Sequence, residues 1–161
     1  MRLLLSNDDG ILAQGLECLI AAAEPLGEVW VVAPDREQSA MSHSLTLHHP
    51  VRPVKRGERR WQIDGTPTDC VMSGIEALLP EKPDFVLSGI NHGQNMGEDV
   101  LYSGTVAAAM EGLALGVPVT GARRISGLGS GIGGVGAEDE ITGLGLGGFG
   151  VGAGGDVKGI M

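Results

Sequence analysis

The sequence predicts an α/β fold, a doubly wound and mostly parallel sheet. Three observations lead there. Short apolar runs at 3–5, 29–33 and 85–87 each end in polar or turn-forming residues, as buried strands do. Between them, apolar residues recur at helical spacing. The connections are short, so strand and helix alternate as in β-α-β units.

Each element has its own warrant. Leu3-Leu4-Leu5 is stopped by Asn7-Asp8-Asp9-Gly10, which is strong turn chemistry. From about Gln14 to Pro25, Leu16, Leu19, Ile20 and Ala23 share one helical face. Val29 to Ala33 is a second strand, closed by Pro34-Asp35. A polar loop follows from Arg36 to Ser44. Leu45 and Leu47 then alternate with polar neighbours, and Val51 to Lys55 reads as extended. Arg56 to Arg59 is a turn before a short strand at Trp61-Gln62-Ile63, which makes a hairpin excursion. Thr66-Pro67-Thr68-Asp69 starts a helix: Thr66 caps, Pro67 suits the first position, and Asp69 favours the positive end. Val71, Ile75, Leu78 and Leu79 are its apolar face, and Pro80 and Pro83 stop it. A strand over 84–88 leads into a glycine-rich loop from Gly89 to about Tyr102. Ser103-Gly104-Thr105 opens a helix of small residues that ends near Gly116, and Val117-Pro118-Val119 begins another strand.

The chain has 161 residues, enough for one domain with a tail at roughly 100–200 residues per domain. Its net charge is −9, which argues against a protein that coats nucleic acid duplex through a basic face. A bound cation can still draw a small phosphorylated substrate. Two cysteines make no disulfide scaffold and suggest a reducing compartment. The apolar start is too short for a signal-peptide core, and no stretch reaches the length of a membrane-spanning helix without a Gly or charge interruption. A cytoplasmic protein with no membrane partner is expected. Glycine is uneven: 12 fall in residues 1–120 and 16 in the 41 positions of 121–161, against a usual share of about 7%. We divide the chain into an α/β domain over 1–119, itself incomplete, and a glycine-rich tail over 120–161. Three readings of the tail stand: a flexible tail, a packed loop region, or sequence that is not native coding.

In doubly wound sheets ligands bind outside the carboxyl ends of the strands. Loops 7–10, 34–43 and 89–102 leave such ends. The adjacent carboxylates Asp8 and Asp9 repel one another, and a hard divalent cation such as Mg²⁺ or Mn²⁺ relieves that. The other reading is a turn at Asp9-Gly10 with Asp8 capping the next helix. Ser39 and Asn91 offer neutral oxygens from neighbouring loops. Ser103-Gly104-Thr105 is either a phosphate cradle or an ordinary helix cap. No Walker A sequence is present, and no Gly-x-Gly-x-x-Gly follows the first strand. His43 and His92 lie in these loops as proton carriers or as plain loop polarity. Cys70 is either a low-pKa thiol at a helix start or a small buried residue.

Four stretches together resemble the SurE family of survival proteins, the 5′/3′-nucleotidases. They are LLLSNDDG at 3–10, VVAPDREQSAMSHSLTL at 31–47, GTPTDC at 65–70 and SGINHGQNMGEDVLYSGTVAAAMEG at 88–112, in matching order and spacing. The resemblance covers residues 1 to about 119. It implies a Rossmann-like metal-dependent phosphatase that hydrolyses nucleoside 5′- and 3′-monophosphates, with one Mn²⁺ or Mg²⁺ per subunit. It implies Asp8, Asp9, Ser39 and Asn91 as metal ligands, Asp8 and Asp9 as the catalytic pair, and Asn95 with Ser103, Gly104 and Thr105 around the phosphate. A homodimer or homotetramer is also implied. Family chains are longer and continue the sheet where this one turns glycine-rich. Three alternatives are carried: a truncated fragment that binds metal or phosphate without turnover, a haloacid-dehalogenase-type phosphatase, and a receiver-like regulatory module. The second expects its acids two positions apart, and the third expects an Asp at the end of the strand that here runs into Gly89-Ile90-Asn91.

Overall fold

The structure is a computed structural model, and it describes residues 1–91 and 102–123. The glycine-rich segment from 124 onward, Asn95 and His92 lie outside the described residues.

Three apolar side chains in a row start the sheet. Strand β1 (Arg2–Ser6) alternates its leucines between two faces, as a strand must. Leu4 enters a core with Val32, Ile63, Val71, Val86 and Ala108. Leu3 and Leu5 enter another with Leu16, Leu19, Val31 and Ala33. A strand buried on both faces carries no polar alternation, which is why LLL is a strand here.

Helix α1 (Gln14–Ala23) covers the second face and returns the chain to β2 (Glu28–Pro34), parallel to β1 with Leu4 opposite Trp30. The hairpin β3 (Pro53–Gly57) and β4 (Arg60–Ile63) is antiparallel within itself. It is not an excursion away from the sheet: β4 pairs parallel with β2, and β3 becomes the edge. Trp30 and Trp61, on neighbouring strands, stack with ring centroids 5.4 Å apart and planes 4° from parallel. The Lys55 ammonium lies 5.5 Å from the Trp61 ring centre, within cation–π range.

Helix α2 (Pro67–Ser73) is capped as its sequence predicts. The Thr66 hydroxyl accepts from the Asp69 amide at 3.2 Å, and the Asp69 carboxylate accepts from the Thr66 amide at 2.8 Å, a reciprocal capping box. The helix widens into a π turn over Gly74–Leu78, so the single apolar face expected to Leu79 is carried by two segments. Strand β5 (Phe85–Asn91) runs three residues past its expected end at Ser88. Helix α3 (Gly104–Ala114) packs Ala107 and Ala108 at 2% and 0% exposure; small side chains permit that approach. Strand β6 (Val119–Arg123) pairs parallel with β5.

The sheet order is β3-β4-β2-β1-β5-β6, parallel except for β3. Chain order therefore runs outward from β1 on one side through β2 and β4, then crosses over α2 to β5 on the other. The gap between the carboxyl ends of β1 and β5 is the switch point where such folds hold ligands. Among the described residues no helix is long and apolar enough to cross a membrane.

Both cysteines are free, Cys18 exposed and Cys70 buried. Burial, then the charges of Asp69 and Asp35, pushes the Cys70 thiol well above its usual range. Of the two readings of Cys70, the small buried residue holds. An alkylating reagent is expected to modify Cys18 in the native protein and Cys70 only after unfolding, as peptide mass spectrometry can check. The sign for stability follows. Above about pH 8.5 an unfolded thiol releases its proton while the folded one keeps it, so stability falls as pH rises further.

Candidate functional site at the switch point

The end of β1 is shaped by a side chain that copies a turn. Asn7, fully buried, donates from Nδ2 to the Gly10 carbonyl at 3.0 Å and accepts the Gly10 amide on Oδ1 at 3.2 Å. Gly10 sits at φ +101°, where a side chain is strained. The tight reversal leaves Asp8 at the rim, 4% exposed, with Asp9 half-buried beside it.

Helix α3 aims its N-terminus at that carboxylate. The Thr105 hydroxyl donates to Asp8 Oδ1 at 2.5 Å and lies 3.4 Å from Asn91 Oδ1, at the end of β5. Ser103 caps the helix, its hydroxyl oxygen accepting the Val106 amide at 3.3 Å. Gly104 fills the remaining space. A Cβ there would lie 2.6 Å from Asp8 Cβ and 3.0 Å from Asp8 Oδ2. An anionic group thus sits against the positive end of an 11-residue helix, where the macrodipole and backbone amides favour it.

The loop after β2 closes the third side. Its Gln38 amide donates to the Asp8 carbonyl at 2.7 Å, and its Ser42 amide to the Tyr102 carbonyl at 3.3 Å. Ala40 and Ser42 have φ of +60° and +52°, conformations that persist in non-glycine residues only when neighbours enforce them. His43 Nε2 pairs with Glu111 on α3 at 2.8 Å, which makes it a rim contact.

Of the sequence-selected residues, the fold brings Asp8, Asn91, Ser103, Gly104 and Thr105 to one place, with Asp9 adjoining. Ser39 is carried on the adjacent loop, but its hydroxyl is exposed and donates to Glu37 at 2.8 Å. Asn95 lies outside the described residues. The sequence reading missed Thr46, whose amide and hydroxyl both reach Asp69 on α2, at 3.1 and 2.6 Å. The Thr66–Asp69 cap was visible in the sequence; its partner 23 residues upstream had no local signal.

The donor set fits a hard divalent cation. Every side-chain donor is oxygen, two of the four expected ligands are carboxylates, and two are neutral. Among the described residues no three His, Cys, Asp or Glu side chains gather. Mg²⁺-like ions need no such cluster, since they are held by one or two carboxylates and keep their waters.

The class these features define is a doubly wound α/β protein with paired acids and a helix N-terminus at its switch point. The sequence model described as Survival protein SurE matches residues 3–122, and the chain belongs to the SurE family. It is 81% identical over 118 residues to the 5′-nucleotidase SurE of Gemmatimonas aurantiaca, covering 73% of this chain and 47% of that one. It is 60% identical over 118 residues to the 5′-nucleotidase SurE of Geotalea daltonii, covering 73% and 48%. The crystal structure of the SurE protein from Aquifex aeolicus superposes with a TM-score of 0.71 at 50% identity, covering 74% of this chain and 49% of that one. The chain spans about half the length of the curated relatives it matches.

Proposed function

We propose that residues 1–119 form the site-bearing part of a metal-dependent phosphatase that converts nucleoside 5′-monophosphates, and 3′-monophosphates, to nucleoside and phosphate. One observation carries the reading. The Asp8 carboxylate and the Asn91 amide oxygen, from two adjacent central strands, meet the same Thr105 hydroxyl at the N-terminus of α3. Oxygens of the kind that bind hard cations and a helix end of the kind that favours anions thus share one rim. The relatives named 5′-nucleotidase point the same way.

In this reading Asp8, Asp9, Ser39 and Asn91 would hold one Mn²⁺ or Mg²⁺, which would supply Lewis acidity toward a phosphate oxygen and a more acidic water. The chain supplies the rest. Thr105 fixes the Asp8 carboxylate by a short charge-assisted hydrogen bond. The amides at the start of α3 stabilise charge on the phosphoryl oxygens, and the family resemblance adds Asn95 to the phosphate-binding set. Asp9, half-buried next to Asp8, is the candidate to take a proton from the attacking water. Assembly into a homodimer or homotetramer and a cytoplasmic location belong to the same proposal.

The test is phosphate release by the purified 161-residue chain from a panel of nucleoside monophosphates, with Mn²⁺, with Mg²⁺ and with chelator. Metal-dependent release is expected. Metal uptake without release would replace the reading with binding without turnover.

A further inference from the structure

The loop that closes the site is strapped down away from it. From Met41 to Leu47 side chains alternate. Met41, Leu45 and Leu47 are outward, with 42%, 43% and 80% exposure. Ser42, Ser44 and Thr46 are half-buried. This is the spacing of a strand, yet the segment joins no ladder. Its inward side is held by side chains instead. The Ser44 carbonyl accepts the Thr66 hydroxyl at 2.7 Å. Thr46 donates twice to Asp69, from its amide at 3.1 Å and its hydroxyl at 2.6 Å. Asp69 is 1% exposed and also accepts the Thr66 amide at 2.8 Å. A buried carboxylate is costly unless donors surround it, and here Thr46 from the loop supplies two of them.

We propose that Thr46 and Asp69 are positioning residues that set where the Gln38–Ser44 stretch lies against Asp8. The tether acts through the loop. Upstream of Thr46, His43 reaches Glu111, Ser42 reaches Tyr102, and Gln38 reaches the Asp8 carbonyl at 2.7 Å. Ala40 and Ser42, in the left-handed region, need that restraint on both sides. Releasing Thr46 lets the stretch relax, loosens the peptide carrying Asp8, and moves Ser39 away from the rim. The consequence for metal affinity rests on the functional reading above; the consequence for the loop does not.

The experiment uses the full 161-residue chain, with Thr46→Val, Thr46→Ser and Asp8→Asn, each first shown to melt cooperatively. Free Mn²⁺ is followed by electron paramagnetic resonance, and amide exchange at Gln38 and Ser42 by NMR. Thr46→Val is expected to weaken Mn²⁺ affinity and to speed exchange at both amides, each by about tenfold, the size of one charge-assisted bond lost. Thr46→Ser, which keeps the hydroxyl, is expected to restore both. Wild-type affinity in Thr46→Val overturns the proposal while the loss in Asp8→Asn still upholds the site. Should wild type take up no Mn²⁺, the functional reading fails and exchange alone judges the tether: unchanged exchange at Gln38 and Ser42 overturns it, and faster exchange supports it. Should Thr46→Val not fold, Thr46→Ala, which removes the same hydroxyl with a smaller side chain, is taken through the same two readouts and decides.

Discussion

Asp8→Asn is expected to remove divalent-ion binding and, with it, metal-dependent phosphate release. The substitution keeps shape and leaves an oxygen able to accept from Thr105, whose bond to Asp8 is 2.5 Å. Folding should therefore survive while one of two adjacent negative charges is lost. Outer-shell changes around metals cost roughly 10–100-fold in affinity or activity; a direct carboxylate ligand should exceed the upper end. Mn²⁺ titration and phosphate release, measured beside the melting temperature, check it. Wild-type metal-dependent turnover in the variant would remove Asp8 from the site.

Gly104→Ala is expected to damage the same site from the opposite side. Its new methyl would lie 2.6 Å from Asp8 Cβ and 3.1 Å from Pro67 Cγ. Neither contact is the free end of a flexible side chain, so the helix start or the turn after β1 must move. Overpacking of this kind costs about 1–3 kcal/mol, seen as a lower melting temperature. The larger effect is local. A shift of α3 relative to β1 separates Thr105 from Asp8, and a misplacement of about 1 Å can cost on the order of 100-fold in rate. The discriminating result is a fall in kcat/KM far larger than the change in stability accounts for. An alanine variant with normal turnover would mean that the contact between α3 and β1 has slack.

Much of the fold is legible where local chemistry and burial agree. Leu3-Leu4-Leu5 before Asn7-Asp8-Asp9-Gly10 has one sensible reading, because an apolar run followed by turn residues is a buried strand end. The cap at Thr66–Asp69 is equally local. The pairing of β4 beside β2 is not, since nothing in Arg60–Ile63 names a partner some thirty residues upstream. Strand β5 hid its last residues because Gly89 reads as a loop residue, whereas pairing with β6 alone carries the strand past Ser88 to Asn91. Leu45 and Leu47 show the reverse case. Their alternation is real, but it belongs to a strap with hydroxyls inward, not to a ladder.

The candidate site was legible to the extent that strand ends collect polar residues. Asp8, Asn91 and Thr105 each follow from a strand end or a helix start, and the sheet order brings those ends together. Ser39 sits on a loop whose path is set by Thr46 and Asp69, so its side-chain direction depends on contacts that no local motif encodes. That is why it was chosen by position yet donates to Glu37.

The tryptophan stack has a practical meaning for anyone following this molecule in solution. The chain has two tryptophans, and both lie in the one stacked pair across β2 and β4. Intrinsic emission is therefore an optical gauge of the hairpin's docking, read at the far flank of the sheet from α3. Backbone circular dichroism samples the helices and the parallel strands instead. If the two signals vanish at the same denaturant concentration, the hairpin and the parallel strands unfold as one cooperative unit. If emission shifts first, the β3–β4 flank opens as a separate unit, and the edge beside β2 becomes available to a strand from another chain.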